Sequence, residues 1–206
     1  MVDNLVERYP KLIAVKDEII AAYKTLETTY LGGGKVLCCG NGGSCADADH
    51  IVGELMKSFK FKRQISDDMK ADLSKFGEIG DKLAANLEGA LPAISLNSHN
   101  ALSSAYINDT NAEAVYAQLL YGLGKSGDTL IALTTSGNSA NCLYAAVTAK
   151  AMGINVIAMT GQNGGKIAEI ADVTIKVPEH ETYLVQELHL PVYHCLCAML
   201  EERFFG

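Results

Sequence analysis

The sequence predicts an α/β fold, a three-layer sandwich in which helices cover both faces of a five-stranded parallel sheet. Three observations carry that expectation. Short apolar runs of strand length, at 35–39, 93–97, 129–133, 155–159 and 173–177, alternate with longer stretches of helical periodicity. These runs lack a polar face, as strands covered on both sides must. The loops rich in glycine and hydroxyl residues fall just after strands, at the carboxyl edge where parallel sheets bind ligands.

Each element has its own justification. Residues 11–30 read as one helix, because Leu12, Ile19, Tyr23, Leu26 and Tyr30 recur at the spacing of a single buried stripe. Pro10 suits its first turn, where no amide donor is needed, and Leu5 and Tyr9 extend the stripe backwards into a shorter helix. The triplet Gly32-Gly33-Gly34 ends this unit before the first strand. After that strand, Gly40-Asn-Gly-Gly-Ser44 leads into a helix that reaches about Phe59, and further helices are expected at 138–152 and 183–203. The stretch 60–91 breaks the rhythm. A basic cluster of Lys60, Lys62 and Arg63 precedes a helix over 67–87, with Met69, Leu73 and Phe76 on one side and Gly77 and Gly80 interrupting it. The expectation is one domain over residues 1–206, with an N-terminal helical segment at 1–31 and a helical insertion or lid at 60–91.

Composition bounds the function. The 206 residues are 49% hydrophobic, enough for a full core without disulfide or metal staples. With 24 acidic against 17 basic residues the net charge is -7, which argues against tracking nucleic acid by general electrostatics. No apolar run approaches the roughly 20 residues of a membrane span, and the first twelve residues lack the order of a signal peptide. A cytoplasmic protein without nucleic-acid or membrane partners is expected. None of the six cysteines has the spacing of a zinc ribbon or redox motif, so they read as reduced core residues. Cys45 stands apart, because a helix N-terminus lowers a thiol pKa.

Two loops look built for an oxyanion. In Cys39-Gly-Asn-Gly-Gly-Ser44 the glycines allow close backbone approach, and the following helix presents free amides. In Thr134-Thr-Ser-Gly-Asn-Ser139 four hydroxyls surround one glycine, although a cap needs only one of them. Converging amides and the helix dipole supply the positive end without a lysine. Acid-base groups sit on two other helices. His50 and Glu54 are four apart and share a face. Gln186 and His194 are eight apart, about two turns, among apolar neighbours that also include His189.

Taken together these motifs resemble the sugar isomerase (SIS) domain family and, within it, the phosphoheptose isomerases. The resemblance covers nearly the whole chain. It rests on 39–44, His50 and Glu54, Asn108-Asp109, 134–141, Thr160-Gly161 with Gly164-Gly165-Lys166, and Gln186 with His194. It implies a flavodoxin-like sandwich and a phosphorylated sugar substrate. Asn41, Gly42, Gly43 and Ser44 would line the sugar phosphate site, and Asn108 and Asp109 would contact the sugar. Thr134, Thr135, Ser136 and Ser139 would hold the phosphate, with Glu54 and Gln186 also at the substrate. His50, Glu54, Gln186 and His194 match positions that bind zinc in metal-containing members, while Glu54 and His194 also match the acid-base pair. The family further implies a homotetramer with active sites at subunit interfaces, which suits the N-terminal helix as an assembly element. This chain departs from the pattern in its longer 60–91 segment, in Tyr183 where aspartate is usual, and in Thr134 where serine is usual.

The reaction that follows interconverts sedoheptulose 7-phosphate and D-glycero-D-manno-heptose 7-phosphate through an enediol. It needs a base for the carbon-bound proton, an acid for the neighbouring oxygen and stabilisation of the enediolate. Glu54 is the candidate base and His194 the candidate acid, exchanging roles with direction. A zinc ion on His50, Glu54, Gln186 and His194 would stabilise the enediolate instead, although a glutamine amide is a weak zinc ligand. No organic cofactor is expected. The alternative is a non-catalytic relative that binds a sugar phosphate or a replication initiator protein. The initiator-binding type lacks equivalents of Glu54 and His194 and disrupts the Ser-Gly-Asn-Ser loop, all of which are intact here.

Overall fold

The computed structural model describes residues 1–206. The chain opens with helix α1 (Val2–Arg8), a 3-10 segment (Pro10–Val15) and α2 (Lys16–Leu31). It continues through β1 (Val36–Gly40), α3 (Gly43–Met56), α4 (Asp67–Ser74), α5 (Gly77–Asn86) and β2 (Ala93–Ser95). Next come α6 (Asn100–Asp109), α7 (Val115–Leu123), β3 (Thr129–Leu133), α8 (Ala140–Ala151), β4 (Asn155–Thr160), β5 (Val173–Lys176) and α9 (Thr182–Phe205). The five strands form one all-parallel sheet in the order β2-β1-β3-β4-β5, in agreement with the sequence reading.

Strand side chains alternate between two cores, one on each face. Val36, Cys38, Ile131, Leu133, Ile157 and Met159 point to the larger core beneath α2, α3 and α9. Leu37, Cys39, Leu130, Ala132, Val156 and Ala158 point to the smaller one beneath α7 and α8. Both faces are therefore apolar, which is why the strands read as continuous hydrophobic runs.

Several boundaries differ from the expectation. The predicted helix over 11–30 is a 3-10 segment from Pro10 followed by α2, although Leu12, Ile19, Leu26 and Tyr30 do form one buried stripe. The helix expected to reach Phe59 stops at Met56, because Lys57 turns to an extended conformation. The single helix expected over 67–87 is a hairpin of α4 and α5, broken where Gly77 has a positive φ of 62°. Its predicted apolar side faces outward, with Phe76 75% exposed.

The largest surprise is Arg63, read as part of a surface basic cluster. Its side chain is fully buried against an equally buried Glu201 of α9, with Nε 2.8 Å from Oε1. The guanidinium also donates to the carbonyls of Leu55 (2.7 Å) and Glu54 (2.9 Å), closing the open end of α3. Glu201 in turn accepts from the amides of Phe59 (2.8 Å) and Lys60 (2.7 Å). Every ionic group in the cluster is matched, as burial requires. His189 on α9 is also fully buried, with Nε2 3.3 Å from the Thr160 carbonyl, and burial lowers its pKa from 6.5 to about 4.

Two stability predictions follow from these buried groups. Glu201→Ala strands the Arg63 charge and should cost about 3–5 kcal/mol in urea unfolding, whereas a loss below 1 kcal/mol would mean the pair holds nothing together. For His189, the unfolded chain binds a proton near pH 6.5 and the folded one only near pH 4. Between those values the unfolded state holds more protons. Stability from this group is therefore complete above pH 6.5 and falls by about 3 kcal/mol on acidification to pH 4. His189→Leu should lose less stability than the parent between pH 7 and pH 4.5. Equal losses would contradict the assignment.

Candidate active site

β1 and β3 are neighbours, with Gly40 opposite Leu133, although β2 lies between them in the chain. The sheet thus reverses its winding at this pair, and the crevice at such a switch point is where parallel sheets take ligands. Both oxyanion loops leave it, one into α3 and the other into α8. The amides of Gly42 and Gly43, and those of Ser136, Ser139 and Ala140, make no backbone hydrogen bond, so two helix N-termini present unclaimed donors. Ser139 occupies the N-cap of α8 but makes no capping bond; its hydroxyl accepts from Thr134 Oγ1 (3.2 Å). Ser136 is exposed and Thr135 half-buried. Ser44 is buried, so the first loop shows backbone rather than that hydroxyl to a ligand.

The two loops are tied together. Asn41 and Asn141 exchange amide hydrogen bonds of 2.9 and 2.8 Å, and Tyr116 Oη donates to the Gly40 carbonyl (2.7 Å). On the other side, Gly137 has a φ of 68°, and a Cβ there would lie 2.0 Å from the Gly164 carbonyl oxygen. Only glycine lets the hydroxyl-rich loop nest against the 161–165 turn.

The acid-base residues lie on α3 and α9, which run side by side in the same direction. Gln186 packs its side-chain amide against Gly43 at the start of α3, so a Cβ there would displace the amide from this position. Farther along, His50 Nε2 is 3.2 Å from Glu54 Oε1, and the His50 and His194 rings are 5.0 Å apart. Lys57 donates to Glu54 Oε2 (3.0 Å). His194 Nε2 is buried with no partner, and Phe59 and Tyr193 flank the ring. Burial, and then the neighbouring His50, lower the His194 pKa against the opposing pull of Glu54. The ring is therefore held neutral at pH 7, a form that can both give and take a proton. A cavity of about 520 Å³ reaches His194 from the side of α1, lined also by Leu5, Arg8, Tyr9, Phe59 and Lys60.

The structure thus gathers His50, Glu54 and His194, and separately gathers Asn41, Gly42, Gly43, Thr134, Thr135, Ser136 and Ser139. Gln186 sides with the loops. Eight residues separate it from His194, about 12 Å along α9 at the rise of a helix. Asn108 and Asp109 are exposed at the end of α6 and bond to each other (2.7 Å). Tyr183 is exposed in the first turn of α9. The four positions expected to share zinc do not form a cage as folded. Lys57 holds one Glu54 oxygen, Gln186 lies with the loops, and no three His, Cys, Asp or Glu side chains are placed to hold a metal ion. His194 Nε2 is buried without a partner. Cys45 also corrects the sequence reading: burial, followed by the Asp49 carboxylate, raises its thiol pKa. All six cysteines are free.

Sequence reasoning missed Asn141 as the tie between loops, Arg63 as the clamp on α3, and Asp47 and Tyr193 as partners around His50. For Asn141 a signal existed, since it belongs to the run 134–141; for the others, helix phase decides the contact.

Comparison with known proteins agrees with this architecture. The SIS domain family matches residues 76–161. A phosphoheptose isomerase of Akkermansia muciniphila is 31% identical over 98% of this chain and 94% of its own length. The DnaA initiator-associating protein DiaA of Yersinia enterocolitica is 34% identical over 93% of this chain and 87% of its own. The solved structure of a phosphoheptose isomerase from Francisella tularensis superposes with a TM-score of 0.76 at 28% identity, covering 97% of this chain and 94% of that one. With its five-stranded parallel sheet, its paired oxyanion loops and this similarity along nearly its whole length, the chain belongs to the phosphoheptose isomerase family of SIS-domain proteins.

Proposed function

We propose that the chain is an aldose–ketose isomerase interconverting sedoheptulose 7-phosphate and D-glycero-D-manno-heptose 7-phosphate. The observation that carries this reading is the joint presence of two amide-lined loops at the switch point and a carboxylate–histidine cluster about 12 Å along α9. An extended seven-carbon chain ending in a phosphate ester reaches roughly 10 Å, given carbon–carbon bonds of about 1.5 Å. The phosphate rests on the amides and hydroxyls of 134–139 and of 42–43, with Gln186 beside it. The reacting carbons then lie toward Glu54 and His194. Subunits assemble as a homotetramer in the cytoplasm, and neighbouring copies complete the sites. Asn108 and Asp109, which meet neither loop in one chain, are the sugar contacts that such completion brings in.

Each group has a task in the reaction. Glu54 takes the proton from one carbon and returns it to the next. His194, held neutral, gives a proton to the adjacent oxygen and takes it from the other. Together they lower the cost of the enediolate by never leaving a full charge on its oxygen. Zinc, one ion per subunit, would need His50, Glu54, Gln186 and His194 to be drawn together from the separate positions they hold here, with Lys57 released from Glu54. No step of the isomerisation depends on it.

The second reading, a partner-binding protein, is favoured by the 34% identity to the initiator-associating protein. A turnover assay separates the two. Purified protein should convert sedoheptulose 7-phosphate, with activity retained in chelator, and Glu54→Gln should lower kcat at least about 100-fold while leaving sugar phosphate binding in place. Absence of product with or without added zinc would favour the partner-binding reading. Activity lost to chelator and restored by zinc would make the metal obligatory. A variant carrying Ser136→Ala with Ser139→Ala should raise KM about tenfold or more with a smaller change in kcat, from two lost hydrogen bonds to a charged group. An unchanged KM would place the phosphate elsewhere.

A further inference from the structure

The α4–α5 hairpin is firmly built, yet its apolar side has no partner. Its base is fixed by the buried Arg63, whose amide donates to Ser58 Oγ (2.9 Å). The Gly89 amide donates to the Arg63 carbonyl (3.2 Å), and the Ser58 amide to Glu88 Oε2 (2.8 Å). The two helices close tightly on each other, because Gly80 lies where a Cβ would run into the Leu73 carbonyl oxygen. They span only eight and ten residues, lengths that are marginal in water without tertiary packing. The side chains able to supply that packing face solvent instead, with Phe76 75% and Ile79 71% exposed and Met69, Leu83 and Leu87 beside them in the hairpin. Exposed apolar side chains gathered in this way mark an interaction surface.

The same chain carries the complementary surface. The cavity of about 520 Å³ that reaches His194 has Leu5, Tyr9, Phe59 and Leu190 in its wall, together with Arg8 and Lys60 and no carboxylate. The hairpin is acidic, with five carboxylates against three lysines over residues 67–87. Each lysine is spent on a neighbour, in the pairs Lys70–Asp67, Lys75–Asp72 and Lys82–Glu78, so Asp68 and Asp81 have no cation. An acidic apolar hairpin thus matches a basic apolar cavity in both charge and character. Root and cavity adjoin: Phe59 and Lys60 line the cavity, and the hairpin base begins at Gln64, which bridges to Glu88. The hairpin does not serve its own chain's cavity, since its apolar side is in solvent. A two-fold axis beside the root places each hairpin at the other copy's cavity, and such a reciprocal contact closes on itself.

We propose that the α4–α5 hairpin of one copy docks into the Arg8–Lys60 cavity of a second copy, with Phe76 and Ile79 as the apolar anchors. The contact closes the α1 side of the Glu54–His194 cluster and leaves the side of the amide-lined loops to substrate. The partner copy thereby supplies a wall that keeps water from the cluster. The stretch 60–91 gains a task that a single chain does not show. The effect on turnover rests on the isomerase reading, whereas the contact itself stands apart from it.

Photo-crosslinking and light scattering test the contact. With p-benzoylphenylalanine in place of Phe76, irradiation should give a product of twice the chain mass. Mass spectrometry should map the link to residues 1–9, 59–60 or 190–198. Phe76→Asp with Ile79→Asp should weaken the contact at least about 100-fold, because two carboxylates would enter an apolar wall. The assembly mass should then fall by half or more, with the circular dichroism of the parent kept, and turnover of sedoheptulose 7-phosphate should fall about tenfold or more. Arg8→Glu with Lys60→Glu leaves the hairpin untouched and should give the same fall in mass, so a fold defect in the first variant cannot decide the matter. A monomeric parent, a link within one chain or to another surface, or a mass unchanged in both double variants would overturn the proposal. Full turnover in a dissociated variant would overturn the closing role. If the parent turned over no sugar phosphate, the isomerase reading alone would fall, and the crosslink would still decide the contact.

Discussion

The buried pair of Arg63 and Glu201 is the contact on which the geometry of the site depends. Helices α3 and α9 follow different strands and meet only in the folded chain, yet the proposed acid-base groups are divided between them. Arg63 closes the carbonyl end of α3 and reaches Glu201 on α9, while Glu201 takes the amides of Phe59 and Lys60. One ion pair thereby sets the relative depth and rotation of both helices. Replacing such a pair with apolar groups of matching shape need not cost stability. Its value here is placement, because the Arg63 guanidinium bonds to the backbone carbonyl of Glu54 itself.

The anion loops illustrate a second kind of fixation. An acidic chain is an unpromising partner for a sugar phosphate if net charge is the measure. The relevant positive end is instead local, made of unpartnered amides at the starts of α3 and α8, and it is kept in register by the Asn41–Asn141 exchange. The same exchange gives Asn41 a structural task. Glycine at 137 serves the same end, since the close approach of the 161–165 turn admits no side chain there.

The fold was legible because two independent periodicities agreed: apolar strands buried on both faces, and helices with one buried stripe. The loops were legible because their residue types are costly for plain turns. What the sequence hid is instructive. Arg63 sits among lysines, so its neighbours suggest solvent, and only the position of Glu201 some 138 residues later explains its burial. The predicted helix over 67–87 failed at Gly77, whose positive φ turns the chain back on itself. Cys45 lies at a helix start, but burial and Asp49 outweigh the helix dipole at its sulfur. Tyr193 and Asp47 could not be paired from spacing, since their contact depends on the phase of one helix against another.

In the proposed reaction the amide-lined loops and the Glu54–His194 cluster serve one sugar phosphate. The most direct measurement is a crystal structure of the Glu54→Gln variant with sedoheptulose 7-phosphate bound. The phosphate should rest on the amides of Ser136, Ser139 and Ala140, with the first two carbons of the sugar against residue 54 and His194 of the same chain or of a neighbouring copy. A phosphate bound in the Arg8–Lys60 cavity, or a sugar whose reacting carbons lie away from both side chains, would contradict it.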